Sequence, residues 1–253
     1  IAIYDPIKTS LITRMMPPPG MEGGSFSHLL GTDHLGRDVL TRSIYGARVS
    51  LMVAIPATVI SVVLGVALGL LAGYKGGRID TTIMRLVDVQ RALPFLVMAI
   101  AVMAFVGGGL WQISIFLGIW GFSHYARLVR GDTLSVINNE YVQAAICMGA
   151  SAPRIALRHI LPNVITPVIV LATFLLPHLI VVEASLSFLG LGVPRPTPSW
   201  GNMISESREL LEHGWWMMLG PGAFMVLTVL AFNFAGDRLR EVWDPHLQRR
   251  GND

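Results

Sequence analysis

Few residues of this 253-residue chain are of a type that could do chemistry. His28, His34, His124, His159, His178, His213 and His246 are scattered without metal-ligand spacing, and the lone Cys147 excludes an internal disulfide. No G-x-x-x-x-G-K-[ST] phosphate loop occurs, and the serines and histidines form no defensible nucleophile and base pattern. No catalytic, cofactor or metal site is expected, which argues against a membrane enzyme. Two features remain. One is Glu183, in the apolar stretch HLIVVEASLSFLGLG. A carboxylate inside a span costs about 2.5 to 3.5 kcal/mol at the helix centre and is a functional candidate by default. Its place near the end of its span lowers that cost, so structural hydrogen bonding and a part in a pathway both stand. The other is EYVQAAICMGASAPRIALRHILPN, residues 140 to 163, a polar island between two oily runs.

The elements that must position these residues are membrane helices. Hydrophobic residues make up 53% of the chain and charged ones 14%, with a mean hydropathy of +0.58, against roughly 25% charged in ordinary globular domains. Five spans are expected: 51–73, about 87–106, 111 to about 128, about 162–186, and 215 to about 235. Pro94 stands where the second span enters the membrane, as a kink tolerated by its neighbours or as a pathway bend; Pro56 poses the same choice. Gly65 and Gly69 have the four-residue spacing that lets helices approach closely, in a helix class rich in glycine anyway. The segment 31–51 places Leu35, Val39, Leu40, Ile44 and Tyr45 at helical spacing, with Arg37, Asp38, Thr41, Arg42 and Arg48 largely elsewhere around it. It is expected to lie along the outer interface and lead into the first span.

Of the 19 Lys and Arg, twelve fall on the side holding 74–91, 127–158 and the C-terminus. The positive-inside rule makes that side cytoplasmic and puts residues 1–48 and the loop 193–214 outside. The pI near 9.4 then reflects topology; with no basic run interleaved with aromatics, no nucleic-acid partner is expected.

The island has the marks of two short helices. Asn138 or Asn139 can cap the first, with Glu140 favourable against its dipole. Gly149 breaks it, Ser151 can cap a second with Pro153 in its first turn, Arg154, Arg158 and His159 follow, and Pro162 starts the next span. With small Ala144 and Ala145 one turn before the bend, such a knob suits insertion into a groove of a partner protein.

The pattern of Ala144 and Ala145, three residues, Gly149, nine residues and then HILP resembles the "EAA" loop of membrane subunits of binding-protein-dependent ABC importers. It departs at Gln143, where the name-giving glutamate would stand, and at His159, where isoleucine is common. HLLGTDHLGRDVLTRSIYGARVSL, EASLSFLGLGVPRPTPSWGNMI and LTVLAFNFAGDRLREVWDP narrow the likeness to the C-type member of the paired permeases of the dipeptide/oligopeptide/nickel kind. The resemblance implies an all-α polytopic bundle of the type I importer kind, with a sixth span expected upstream of residue 1. Residues 1–48 would be an extracytoplasmic segment with an interfacial helix, 49–238 the transmembrane domain and 239–253 a cytoplasmic tail.

The family pattern places Glu140, Gln143, Ala144, Ala145, Gly149, Ala150, Arg154, His159, Leu161 and Pro162 in an ATPase-coupling loop over 139–162. It implies as partners a second homologous permease, one or two ABC ATPase subunits, an extracytoplasmic substrate-binding protein and the lipid bilayer, in a bacterial or archaeal inner membrane. No cofactor is implied, and ATP hydrolysis belongs to the partners. Di- or oligopeptide is the commonest cargo, with nickel, glutathione, haem or sugar as alternatives. A secondary transporter or channel would need deep coupling charges or an inverted repeat; the sequence shows no such repeat and few deep charges.

Overall fold

A computed structural model describes residues 4–243. The tail expected at 239–253 therefore lies largely outside the described residues, as do His246, Arg249 and Arg250. Ten α-helices follow one another among the described residues, with no strand beyond an isolated bridge between Thr32 and Asp38. They are α1 (Val39–Lys75), α2 (Gly77–Ala92), α3 (Phe95–Val106), α4 (Leu110–Val136), α5 (Glu140–Cys147), α6 (Ala152–Arg154), α7 (Leu161–Phe188), α8 (Trp200–Ser207), α9 (Leu211–Gly214) and α10 (Trp216–Trp243). A π-helical stretch, Ile155–Ile160, joins α6 to α7.

Three helical runs are long and apolar enough to cross a membrane: Val39–Lys75, Ala152–Phe188 and Trp216–Glu241. The second expected span is a broken pair, α2 and α3, bent by 92°. Leu93 is extended at the break, and Pro94, which has no N–H to give a preceding turn, begins the next helix by accepting from the Met98 amide. The third expected span, 111 to about 128, lies within α4, whose 27 residues exceed those bounds, but Gln112, His124 and Arg127 keep it below that apolar standard. Three long helices and one broken pair are thus what length and composition support.

The helix expected over 31–51 begins only at Val39 and continues directly into the first span. Residues 31–38 are irregular, and α1 runs unbroken for 37 residues, about 55 Å at 1.5 Å each. Asp38 caps it by accepting the Thr41 amide at 2.7 Å. Arg37, Asp38, Thr41 and Arg42, expected largely away from the apolar face of that helix, are all buried.

The chain divides into two compact units. The first comprises Ile1–Ile55, Ala99–Ser114 and Pro177–Ala231. Val39, Met203, Trp216 and Met217 form an apolar core there. The indoles of Trp200 and Trp216 donate to the carbonyls of Ser43 at 2.9 Å and Thr32 at 3.1 Å, giving each buried ring the partner it needs.

The second unit comprises Pro56–Met98, Ile115–Leu176 and Phe232–Asp253. Here α1 lies close against α4 because glycines remove the side chains between them. A Cβ at Gly69 would stand 2.7 Å from the Ala126 carbonyl oxygen and from Val129 Cβ, and one at Gly73 would stand 2.6 Å from Thr133 Cβ. The glycine spacing read from the sequence thus serves a helix contact within the chain. The guanidinium of Arg130 on α4 pairs with Asp80 on α2, Arg127 with Asp88 at 2.6 Å, and the rings of Phe95, Phe116 and Trp120 cluster at 5.5 to 6.1 Å.

Candidate functional site

The polar island folds as a knob in the second unit. Where α4 ends, the chain turns through Ile137 to Asn139, whose extended backbone offers its carbonyl to the Val142 and Gln143 amides at 3.0 and 3.1 Å. Asn139 is thus the N-cap by position, but neither its side chain nor that of Ser151 makes the expected capping bond. Gln143 reaches back instead, its amide donating to the Ile137 carbonyl at 2.8 Å. A glutamate, an acceptor when ionised, could not make that bond, so the departure at Gln143 has a structural use.

Gly149 ends α5 with φ +79°. The Gly149 amide donates to Ile146 and the Ala150 amide to Ala145, at 2.9 and 3.1 Å, the paired bonds of a Schellman stop. This left-handed conformation suits glycine. The second helix of the knob then differs from expectation. No break occurs at Pro162: α6, the π-stretch and α7 form one run from Ala152 to Phe188. The π-stretch absorbs the proline. The Leu161 amide reaches back five residues to Ala156, and Pro162, which lacks an N–H, follows directly.

The knob has two faces. Inward, Val142, Ile155 and Ile160 are buried in one apolar cluster with Leu70, Tyr125, Val129, Val164 and Val168, Ala145 is buried as well, and Ala150 and Leu161 pack against the cluster's edge half-buried. Outward, Glu140, Gln143, Ala144, Gly149, Arg154 and Pro162 are exposed, and His159 is half-buried. The two alanines therefore differ: Ala145 is core and Ala144 is surface. Sequence reading missed the most prominent outward groups, Met148 at 82% and Leu157 at 61% exposure. Their signal was available, since large apolar residues beside a hinge glycine and two residues before a His break an otherwise small and polar surface. It also missed Tyr141 and Asn163, which join the two limbs of the knob. Asn163 donates to the Tyr141 hydroxyl at 3.0 Å and to the His159 carbonyl at 2.6 Å, and the hydroxyl points to that same carbonyl at 3.4 Å.

The other candidates lie apart from the knob in the chain. Pro94 is exposed at the bend already described. Glu183 is fully buried in the first unit, where its two carboxylate oxygens accept from Ser50 at 2.8 Å and Ser187 at 2.7 Å. It fastens α7 to α1. A further cluster in that unit had no sequence signal beyond three charges, Asp33, Arg37 and Arg42, in one short segment. Asp33 accepts from Arg37 Nε at 2.7 Å and from Arg42, and Glu206 on α8 accepts from Arg37 Nη2 at 2.9 Å and Arg42 Nη1 at 3.0 Å. Burial alone would raise the Asp33 pKa. The Arg42 charge, the Arg37 amide and charge, and the Leu35 amide outweigh it and hold the group below its ordinary value. Asp33, His34 and Glu206 are close enough together to suggest a cation site. Both carboxylates are already committed to guanidinium groups, so the cluster reads as a buried ion-pair network.

Residues 65–249 match the family of binding-protein-dependent transport system inner membrane components. The chain is 43% identical over 248 residues to the di/tripeptide transport system permease protein DppC of Pseudomonas aeruginosa, covering 98% of this chain and 82% of that one. It is 43% identical over 244 residues to the dipeptide transport system permease protein DppC of Bacillus subtilis, covering 96% and 74%, and 39% identical over 246 residues to the oligopeptide transport system permease protein OppC of the same organism, covering 97% and 79%. Among solved structures, the MetNI methionine ABC transporter in an inward-facing conformation superposes with a TM-score of 0.64 at 21% identity, over 79% of this chain and 96% of that one. An amino acid ABC transporter gives 0.61 at 15%, over 79% and 93%. At such identities these two likenesses speak for the fold, which is that of type I importer permeases. The family match and the extent of the shared sequence together place the chain among the binding-protein-dependent transport system inner membrane components.

Proposed function

We propose that this permease subunit couples an ATPase to peptide import through the knob at 139–162. The chain itself is a multi-pass membrane transport subunit and not an enzyme. The observation that carries the reading is the division of the knob into two faces. Its inner face is locked into the same apolar cluster as α1, α4 and α7, and its outer face presents Met148 and Leu157 at a position the charge distribution assigns to the cytoplasm. Exposed apolar side chains on an ordered element fit a partner's groove.

On this reading one or two separate ATPase subunits close on ATP, seize the knob and move it, and the spans alternate their access. A second homologous permease completes the path. A substrate-loaded binding protein docks on the outer side, at 193–214 and the N-terminal segment, and brings a di- or oligopeptide, the cargo named for the relatives. Glu183, Ser50 and Ser187 serve as an internal fastening, and Pro94 sets the bend of the broken span. The membrane is the inner membrane of a bacterium or archaeon.

The test is purification of the tagged protein from native membranes in mild detergent, with a Met148→Asp, Leu157→Asp variant beside it. Recovery of a homologous permease and ATPase subunits with the parent, and selective loss of the ATPases with the variant, is expected. Recovery of the parent chain alone, under conditions that hold known importer complexes together, would remove the proposal.

A further inference from the structure

The knob's second limb meets α7 through a π-helical stretch, Ile155–Ile160. Such a wide turn lengthens the backbone ladder and is a natural place for a helix to flex. If it flexed freely, motion of the knob would be absorbed there before reaching α7. The structure carries a bond across this weak point. Asn163, on the first turn of α7, donates to the His159 carbonyl at 2.6 Å, within the π-stretch, and to the Tyr141 hydroxyl at 3.0 Å, on α5. The hydroxyl turns to the His159 carbonyl at 3.4 Å, and the Tyr141 and His159 rings lie 6.5 Å apart. One side chain thus ties three parts: the first limb of the knob, the π-stretch and the span.

Apolar contacts alone do not supply this. The contacts of Val142, Ile155 and Ile160 hold the limbs to the core, but they are non-directional and allow sliding. Hydrogen bonds fix direction. Both side chains reside on the exposed side, Tyr141 at 47% exposure, where fold stability asks for no such bond. We infer that Asn163 and Tyr141 are positioning residues that brace the π-stretch, so that the knob and the start of α7 move as one body. The inference rests on the coupling role proposed above for what moves the knob, but the brace is a property of this chain and can be read without any partner.

Cys147, exposed on α5 and the sole cysteine, provides one label position, and Ile169→Cys on α7 a second. Spin-label distances between them are measured in the purified permease and then in the complex with its ATPases, with and without ATP. With the brace intact the distribution is expected to be narrow in the permease alone and unmoved by ATP. Asn163→Ala and Tyr141→Phe are expected to broaden it, and to speed amide exchange in α5 about fivefold, the effect of losing one or two ordinary hydrogen bonds. The effect of the double variant should fall short of the sum of the two single effects, because both remove the bond between Asn163 and Tyr141. Asn163→Asp, which loses the donor to both partners but can accept from the Tyr141 hydroxyl, should be intermediate.

A merely structural role would lower the thermal stability of the permease and leave the distance distribution of the folded protein unchanged. An unchanged distribution in Asn163→Ala, or a parent distribution already broad, would overturn the brace. A narrow parent distribution that broadens in the variants, in a chain that recruits no ATPase, would uphold the brace and remove the coupling role.

Discussion

Replacing Gly149 tests the knob's geometry at its hinge. The substitution is usually expected to act through bulk, but a Cβ built there meets nothing within 4 Å. The cost must come from the backbone, since φ is +79° and an L-residue with a Cβ in the left-handed region is disfavoured by about 1 to 2 kcal/mol. Asn tolerates that region better than Ala, and β-branched residues tolerate it worst. The expected order of hinge stability is therefore Gly, Asn, then Ala and Leu together, then Val. A cost of 1 to 2 kcal/mol means a factor of about 5 to 30 in the population of the closed stop. The assay is amide hydrogen exchange across α5 in the purified permease, away from any partner groove that could itself reject a large side chain. Slow exchange at Gly149 and Ala150, whose amides close the Schellman bonds to Ile146 and Ala145, reports the stop directly. A Leu variant exchanging far faster than Ala, or an Asn variant no better than Ala, would refute the backbone argument and restore bulk as the cause.

Asp33→Asn is expected to destabilise the first unit by about 3 to 5 kcal/mol, because it leaves Arg37 and Arg42 buried with one carboxylate too few; thermal melting in detergent measures it. In the parent protein, Asp33 has a lowered pKa, so its contribution is fully present above the unfolded value of about 3.9 and is lost as pH falls through the folded one. Melting of Asp33→Asn should accordingly lose this acid-side dependence. Gly69→Val forces a branched side chain against Ala126 and Val129 at contacts near 2.7 Å, and overpacking of about 1 to 3 kcal/mol or more is expected; a melting point equal to the parent's would show that α1 and α4 do not pack as described.

Sequence alone made the membrane class, the long apolar helices and the position of the knob legible, for a shared physical reason. Runs such as 51–73 and the glycine at 149 act through local properties of the chain, hydropathy and backbone freedom, which need no knowledge of neighbours. What stayed hidden depends on partners far along the chain. Arg37 and Arg42 look like solvated charges in a lead-in helix until Glu206, more than 160 residues later, is placed beside them. Pro162 looks like a helix start because the π-stretch that absorbs it has no composition of its own, only a hydrogen-bond register shifted by one residue. Hydropathy also misplaced the start of the long run before Phe188, which begins at Ala152, ten residues before the apolar stretch does.

The alanine pair shows how a short pattern can contain two unrelated requirements. Ala144 and Ala145 are adjacent on α5, so their side chains point about 100° apart, the angle set by 3.6 residues per turn. Ala145 is buried at 5% exposure, so the chain itself leaves little room for a larger side chain there. Ala144 faces outward, where nothing in this chain limits its size. A limit at 144 can then only come from a partner surface closing over it, whereas a limit at 145 exists in the isolated permease. The same reasoning separates Met148 and Leu157, exposed and outward, from Val142 and Ile155, also apolar and only a few residues away, which are already buried in the cluster. The island is therefore built into the bundle by one face and left unfinished on the other, and the unfinished face is what a coupling element needs.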